Sequence, residues 1–170
     1  MKQAKFVIPV LLLFALFAGT ADAQKRTYKK NTATKTIPSL DVRTAREKTV
    51  IQRDNVNFWI DKLGPIADAL ELLDASYAKK KPNASALATH EDRKKKFVAV
   101  LRNLRDDLSS LESEFRTKPA LQKYLVNLKG ITDLAAQAED LAIAGKFVAS
   151  KQPLRDASKK LADTVAILPQ

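Results

Sequence analysis

The stretch VNFWIDKLGPIADALELLDASY, residues 56–77, decides the fold. Its apolar residues Val56, Trp59, Leu63, Ile66, Leu70, Leu73 and Tyr77 recur at intervals of three and four, the period of one helix face. The register survives Gly64-Pro65, so the spacing predicts one helix kinked at Pro65 rather than two joined by a turn. The stripe would be roughly 33 Å long.

Three more stripes follow. Phe97, Leu101, Leu104, Leu108, Leu111 and Phe115 predict a second helix, with Thr89 as its N-cap and Thr117-Lys118-Pro119 as its stop. Leu121, Tyr124, Leu128, Ile131, Ala135, Ala138 and Ala142 predict a third, closed by Gly145. Leu154, Ala157, Leu161, Val165 and Leu168 predict a fourth, with Pro153 in its first turn. The first connection would span about 8–10 residues and the others fewer, which forces antiparallel neighbours. Alternating Val/Ile/Thr runs and Asn-Gly or Asp-Gly turns, the marks of strands, are missing. Residues 40–53 also read as helical. A helix from 41 to 80 would run about 60 Å, so a shorter, frayed or bent extension is expected there.

Upstream of the stripes the chain changes character. Lys2 and Lys5, the apolar run Phe6–Ala18 and Ala21-Asp22-Ala23 are the three parts of a secretory signal peptide. The run has 13 residues, short of the roughly 20 a spanning helix needs. Residues 1–23 are therefore expected to be removed. The product would be periplasmic or secreted, with no transmembrane segment. No Cys stands at the junction for a lipid anchor, and none elsewhere for a disulfide, so stability must come from packing. Residues 24–38 (QKRTYKKNTATKTIP) lack hydrophobic periodicity and read as a disordered basic arm, and residues 39–170 as the helical domain.

Positive charge is localised. Residues 24–50 carry eight basic and two acidic groups, and residues 79–97 carry seven and two. Residues 98–146 balance at seven of each. Lys79, Lys80 and Lys81 close the first helix, while Arg93, Lys94, Lys95 and Lys96 open the second, so both sets map to one end of the bundle. Lysines at a helix C-terminus complement its dipole; cations near an N-terminus oppose it, at a cost of tenths of a kcal/mol each. These seven, with Lys25, Arg26, Lys29 and Lys30 of the arm, are candidate anion-binding residues. The bland alternative is that both regions are merely solvated. Aromatic residues for base stacking are not clustered there, so nucleic acid is not favoured.

Catalytic and metal motifs fail one by one. Asp106-Asp107 and Glu112-x-Glu114 lie off the apolar stripe and read as solvated surface. The single histidine, His90, begins His-Glu-x-x but meets Lys94 where a zinc-protease motif needs its second histidine. It is expected in the exposed first turn of a helix. A nucleophile elbow and a Gly-rich phosphate loop are lacking. Asn83-Ala84-Ser85 is a glycosylation sequon, relevant only in a eukaryotic secretory pathway; the short Ala-rich leader reads as bacterial.

The segment Glu139-Asp140-Leu141-Ala142-Ile143-Ala144-Gly145-Lys146-Phe147 resembles the junction between helices three and four of the soluble periplasmic b-type cytochromes. The resemblance would cover roughly residues 56–168 and implies a four-helix bundle. It also implies haem held by a Met near the start of helix one and a His near the end of helix four. Met1 falls in the leader and Leu154 to Leu168 contains no His, so no haem ligand carries over and no cofactor is expected.

The sequence thus predicts an all-α, antiparallel up-down-up-down four-helix bundle with a disordered basic N-terminal arm. The function expected is a non-catalytic binding or structural factor for an anionic envelope component or a protein partner. A haem or small-ligand carrier and a helical chaperone or adaptor are the alternatives.

Overall fold

Val42, Thr49, Val56, Leu63 and Leu70, spaced seven apart, are all buried along one face of the first helix. Such a heptad seam lets a long helix stay in contact with its neighbours. The computed structural model describes residues 38–170; the expected leader, and the expected arm except Pro38, lie outside the described residues.

α1, Leu40–Lys79, is a single 40-residue helix. The expected short extension over residues 40–53 is therefore replaced by full helix. The reason is that α2 and the chain's end both reach its first turns. α2, Ala84–Thr117, runs antiparallel beside it, so that Lys48 pairs with Glu114 at 2.7 Å and Lys118 with Asp41 at 3.3 Å. The chain's end comes back to the same level, with Pro169 and Gln170 beside Arg43, Arg46 and Glu47. Val42 and Ala45 are covered as a result.

α1 continues through Pro65, which is exposed. Proline disfavours helical backbone in the preceding residue through its Cβ; Gly64 has none. The missing N–H leaves the carbonyl of exposed Asp61 to water. One expectation fails next door: Ile66 is 43% exposed, and Ala67 takes the core position instead. From Leu63, the step to the buried face is four residues rather than three.

α2 carries two interleaved heptad rows, His90, Phe97, Leu104 and Leu111 beside Leu101, Leu108 and Phe115, all buried. It starts earlier than expected. Asn83, not Thr89, is the N-cap, its side chain accepting the Ala86 N–H at 2.7 Å. The connection from α1 is therefore only Lys80–Asn83.

The third stripe does not form one helix. It divides into a 3-10 turn at Gln122–Tyr124, the short α3 at Leu125–Leu128, and α4 at Ile131–Ile143. Gly130, at φ 87°, separates the last two. The break is stabilised from α2. The buried Glu112 carboxylate accepts the Gly130 N–H (3.2 Å), the Thr132 N–H (3.2 Å) and the Thr132 hydroxyl (2.8 Å). A carboxylate from a neighbouring helix thus caps α4 and complements its dipole. This corrects the expectation that Glu112 is solvated. Glu114 is also partly covered, between Lys48 and Lys118.

α4 ends at a left-handed Gly145, φ 76°. The Lys146 N–H donates to the Leu141 carbonyl and the Gly145 N–H to that of Ala142, the Schellman pattern. α5, Lys151–Ile167, holds Pro153 at its third position, where its missing N–H has no helical partner to lose. α2 packs on α4, α4 on α5, and α5 back on α1, which closes the up-down-up-down ring. Among the described residues there are no strands, and no helix is long and apolar enough to cross a membrane.

Candidate functional site

α4 and α5 have 13 and 17 residues against 40 and 34 for α1 and α2, so the ring cannot cover the long pair completely. The α4–α5 connection meets α1 where the Val148 N–H donates to Glu71 (2.7 Å), and meets α2 where Phe147 packs edge-on against Phe97. Beyond those contacts, the last two turns of α1 and the first turns of α2 pair with each other as a hairpin. Helix rise sets its reach at about 12 Å past Glu71. Its outer residues Leu72, Leu87, Ala75, Ala78 and Ala88 are exposed, as expected for two helices without further cover.

The base of the hairpin is held by a polar cluster. His90 is 2% exposed, and its Nε2 lies 2.8 Å from Asp74 Oδ1. A carboxylate only accepts, so Nε2–H is the donor. Tyr77 packs edge-on against the imidazole, and Lys94 reaches Asp74 at 2.6 Å and Glu91 at 3.2 Å. Burial works to raise the Asp74 pKa, but the hydrogen bonds and charges of Lys94 and His90 outweigh it and hold it below the usual carboxylate value. Burial likewise works against Lys94's charge, and Asp74 and Glu91 outweigh it, raising the Lys94 pKa. The expectation of an exposed His90 is thus corrected. It occupies the next position of the Phe97–Leu104–Leu111 row toward the tip, facing α1.

Lys79, Lys80 and Lys81 crown the hairpin. All three are exposed, and none has an acidic partner among the described residues. Lys79 lies in the last turn of α1, where cations complement the dipole. Lys80 leaves the helix in extended conformation.

The second basic run behaves differently. Because α2 starts at Ala84, Arg93 to Lys96 sit in its third and fourth turns, and their supposed opposition to the N-terminal dipole disappears, since that effect fades within one turn. Successive residues at 100° also scatter the run around the helix. Lys94 turns inward to Asp74. Lys95 faces a groove of about 440 Å³ shared with Arg102, Ile143 and Phe147. Arg93 and Lys96 face the opposite way, toward α1, and Lys96 pairs with exposed Asp92 at 2.7 Å. The structure therefore does not gather the seven cations into one patch. Lys25, Arg26, Lys29 and Lys30 lie outside the described residues.

Two features escaped the sequence reading. One is a groove of about 200 Å³ between α1 and α2, floored by Trp59, Leu63, Phe97 and Val100 and edged by Ile66, Arg93 and Lys96. The exposure of Ile66 signals it. The other is buried Glu139, whose carboxylate receives Arg102 Nε at 2.8 Å and Arg105 Nη1 at 2.6 Å. Sequence periodicity does not mark it, because Glu139 adjoins core residue Ala138 on α4 and only the neighbouring helix supplies its arginines.

Chemically, the arrangement offers charge and apolar surface. Among the described residues no group of three His, Cys, Asp or Glu is placed to hold a metal ion. The single histidine does not fit a haem ligand either: His90 is buried and bonded to Asp74 in the hairpin. Comparison with protein-family models, with curated proteins and with solved structures returns no match, so the cytochrome resemblance reaches no further than a four-helix architecture.

Proposed function

We propose that this protein is an exported, non-catalytic binding factor that docks on an anionic envelope surface through its hairpin tip. The observation that carries this reading is Lys79, Lys80 and Lys81, exposed and without acidic partners among the described residues, at the end of a helical pair braced by the Asp74–His90–Lys94 cluster. Each lysine held near an anionic membrane adds about 1 kcal/mol of attraction, so three give roughly a hundredfold gain in local binding at modest salt. Lys25, Arg26, Lys29 and Lys30 of the arm would add to the same field.

The test is vesicle co-sedimentation of the purified protein over about 50–500 mM salt, where the screening length falls from above 10 Å to a few ångströms. Binding to anionic but not neutral vesicles, steeply lost with salt and weakened in a Lys79→Gln/Lys80→Gln/Lys81→Gln variant, is the expected result. Binding unchanged in that variant, or none at low salt, rejects the role. A Lys25→Gln/Arg26→Gln/Lys29→Gln/Lys30→Gln variant measures the arm's share. Lys94 is unsuitable as a probe, since its loss disturbs the hairpin itself.

A further inference from the structure

The groove between α1 and α2 is apolar along its floor and polarised from end to end. Because the two helices are antiparallel, Arg93 and Lys96 stand at the end nearer the hairpin tip, and Trp59 and Val100 at the other. Arg93 has no acidic partner among the described residues, and the only acid paired with Lys96 is the exposed Asp92. Arg93 and Lys96 are three residues apart, so both reach one anionic group on the same helix face. From Arg93 to Val100 the helix rises about 10 Å, the extended length of about eight carbon atoms. Exposed Phe58 stands edge-on to Trp59 outside the groove, with Lys62 Nζ 5.6 Å over its ring.

Two other occupants fit less well. The chain's own arm, with Lys25, Arg26, Lys29, Lys30 and Lys35, would bring cations to a cationic rim. A second copy docked about a two-fold axis through the groove would set Arg93 and Lys96 over an apolar end rather than over an anion. An apolar trough with cations at one end matches a molecule with the inverse polarity: an anionic head on a single alkyl tail.

We propose that this groove binds a free single-chain anionic amphiphile of the fatty-acid class, its carboxylate between Arg93 and Lys96 and its tail over Phe97, Val100 and Trp59. This goes beyond the hairpin's surface-docking role and does not depend on it, since Lys79–Lys81 are no part of the groove.

Trp59 is the protein's one tryptophan, so its fluorescence reports the groove directly. The full protein is titrated with decanoate below its micellar concentration, with hexanoate and decyltrimethylammonium alongside. A saturable blue shift with decanoate is expected, with affinity at least about tenfold weaker for hexanoate, because each buried methylene contributes about fourfold. Decyltrimethylammonium should give no saturable shift. An Arg93→Gln/Lys96→Gln variant, at exposed positions, should lose at least about tenfold in decanoate affinity while keeping its helical circular dichroism. Lys79→Gln/Lys80→Gln/Lys81→Gln should leave the titration unchanged. Equal binding of the cationic and anionic amphiphiles, or a shift that persists in Arg93→Gln/Lys96→Gln, would overturn the proposal. So would a Trp59 shift that appears only with bilayers, or one that instead follows protein concentration and dimer formation in sedimentation.

Discussion

Glu112 of α2 receives both the backbone N–H and the hydroxyl of Thr132, and so serves as the N-cap that α4 lacks in its own sequence. Arg116 closes over the same carboxylate at 3.1 Å. Burial works to raise the Glu112 pKa, but the bonds from Gly130 and Thr132 and the Arg116 charge outweigh it and lower the value below its ordinary 4.5. Glu112→Ala should cost about 2 kcal/mol, a lost cap plus buried donors left unpaired. Urea titration measures it; a loss below about 0.5 kcal/mol would mean that water caps α4 equally well.

The same carboxylate makes acid stability predictable. A group whose folded pKa lies below its unfolded 4.5 contributes fully above that pH and loses its contribution as pH falls through the folded value. Asp74 and Glu114 are shifted in the same direction, burial again being outweighed, for Glu114 by Lys118 and Lys48. The protein should therefore weaken below about pH 4.5, and Glu112→Gln should flatten the slope. An unaltered pH profile in that variant contradicts the assignment.

Asp74 and His90 lie outside the four-helix section, so their loss should be felt locally. Asp74→Ala leaves the buried imidazole without its acceptor, and Nδ1 already has no partner. Amide hydrogen exchange should accelerate across residues 72–91, with the amides of Leu104 and Leu161 protected as before. Uniform acceleration over all helices would show that the hairpin and the bundle unfold as one unit.

Glu139 tests the asymmetry of buried charge. Arg102 and Arg105 are partly exposed and can hydrate when the carboxylate is removed, whereas Glu139 cannot hydrate when they are. Arg102→Ala/Arg105→Ala should cost about 3 kcal/mol, and adding Glu139→Leu should restore most of that loss. If the triple variant is no more stable than the double, the ion pairs are not what makes the arginines important.

Pro65 is exposed inside α1 and removes one helical hydrogen bond. Pro65→Ala should stabilise the protein by about 1–3 kcal/mol. Gly130→Ala should do the opposite by about 1–2 kcal/mol, because a φ of 87° is strained for any residue with a Cβ. Thermal melts of the two variants should move in opposite directions; a shared direction would refute one of the two backbone assignments.

The four apolar stripes were readable because helix periodicity is local, and Leu154 through Leu168 lie buried as their spacing implies. Part of what was missed was readable too. Counting back by seven from Phe97 reaches His90, and from Val56 reaches Thr49 and Val42, so both heptads run past the points where the apolar residues stop. Polar His90 and Thr49 hid the continuation. The candidate site was legible only as composition: Lys79 to Lys81 stay exposed together, while Arg93 to Lys96 scatter once α2 begins at Ala84.

Sequence alone determined the helical class, the antiparallel order and the lysine run at the end of the first helix, because periodicity, short connections and local charge are properties of neighbouring residues. Tertiary structure decided the break at Gly130, the burial of Glu112, Glu139 and His90, the inward turn of Lys94, and the groove under Trp59. Each of these depends on a group from another helix, whose position is set by packing across the ring rather than by residues nearby in the chain.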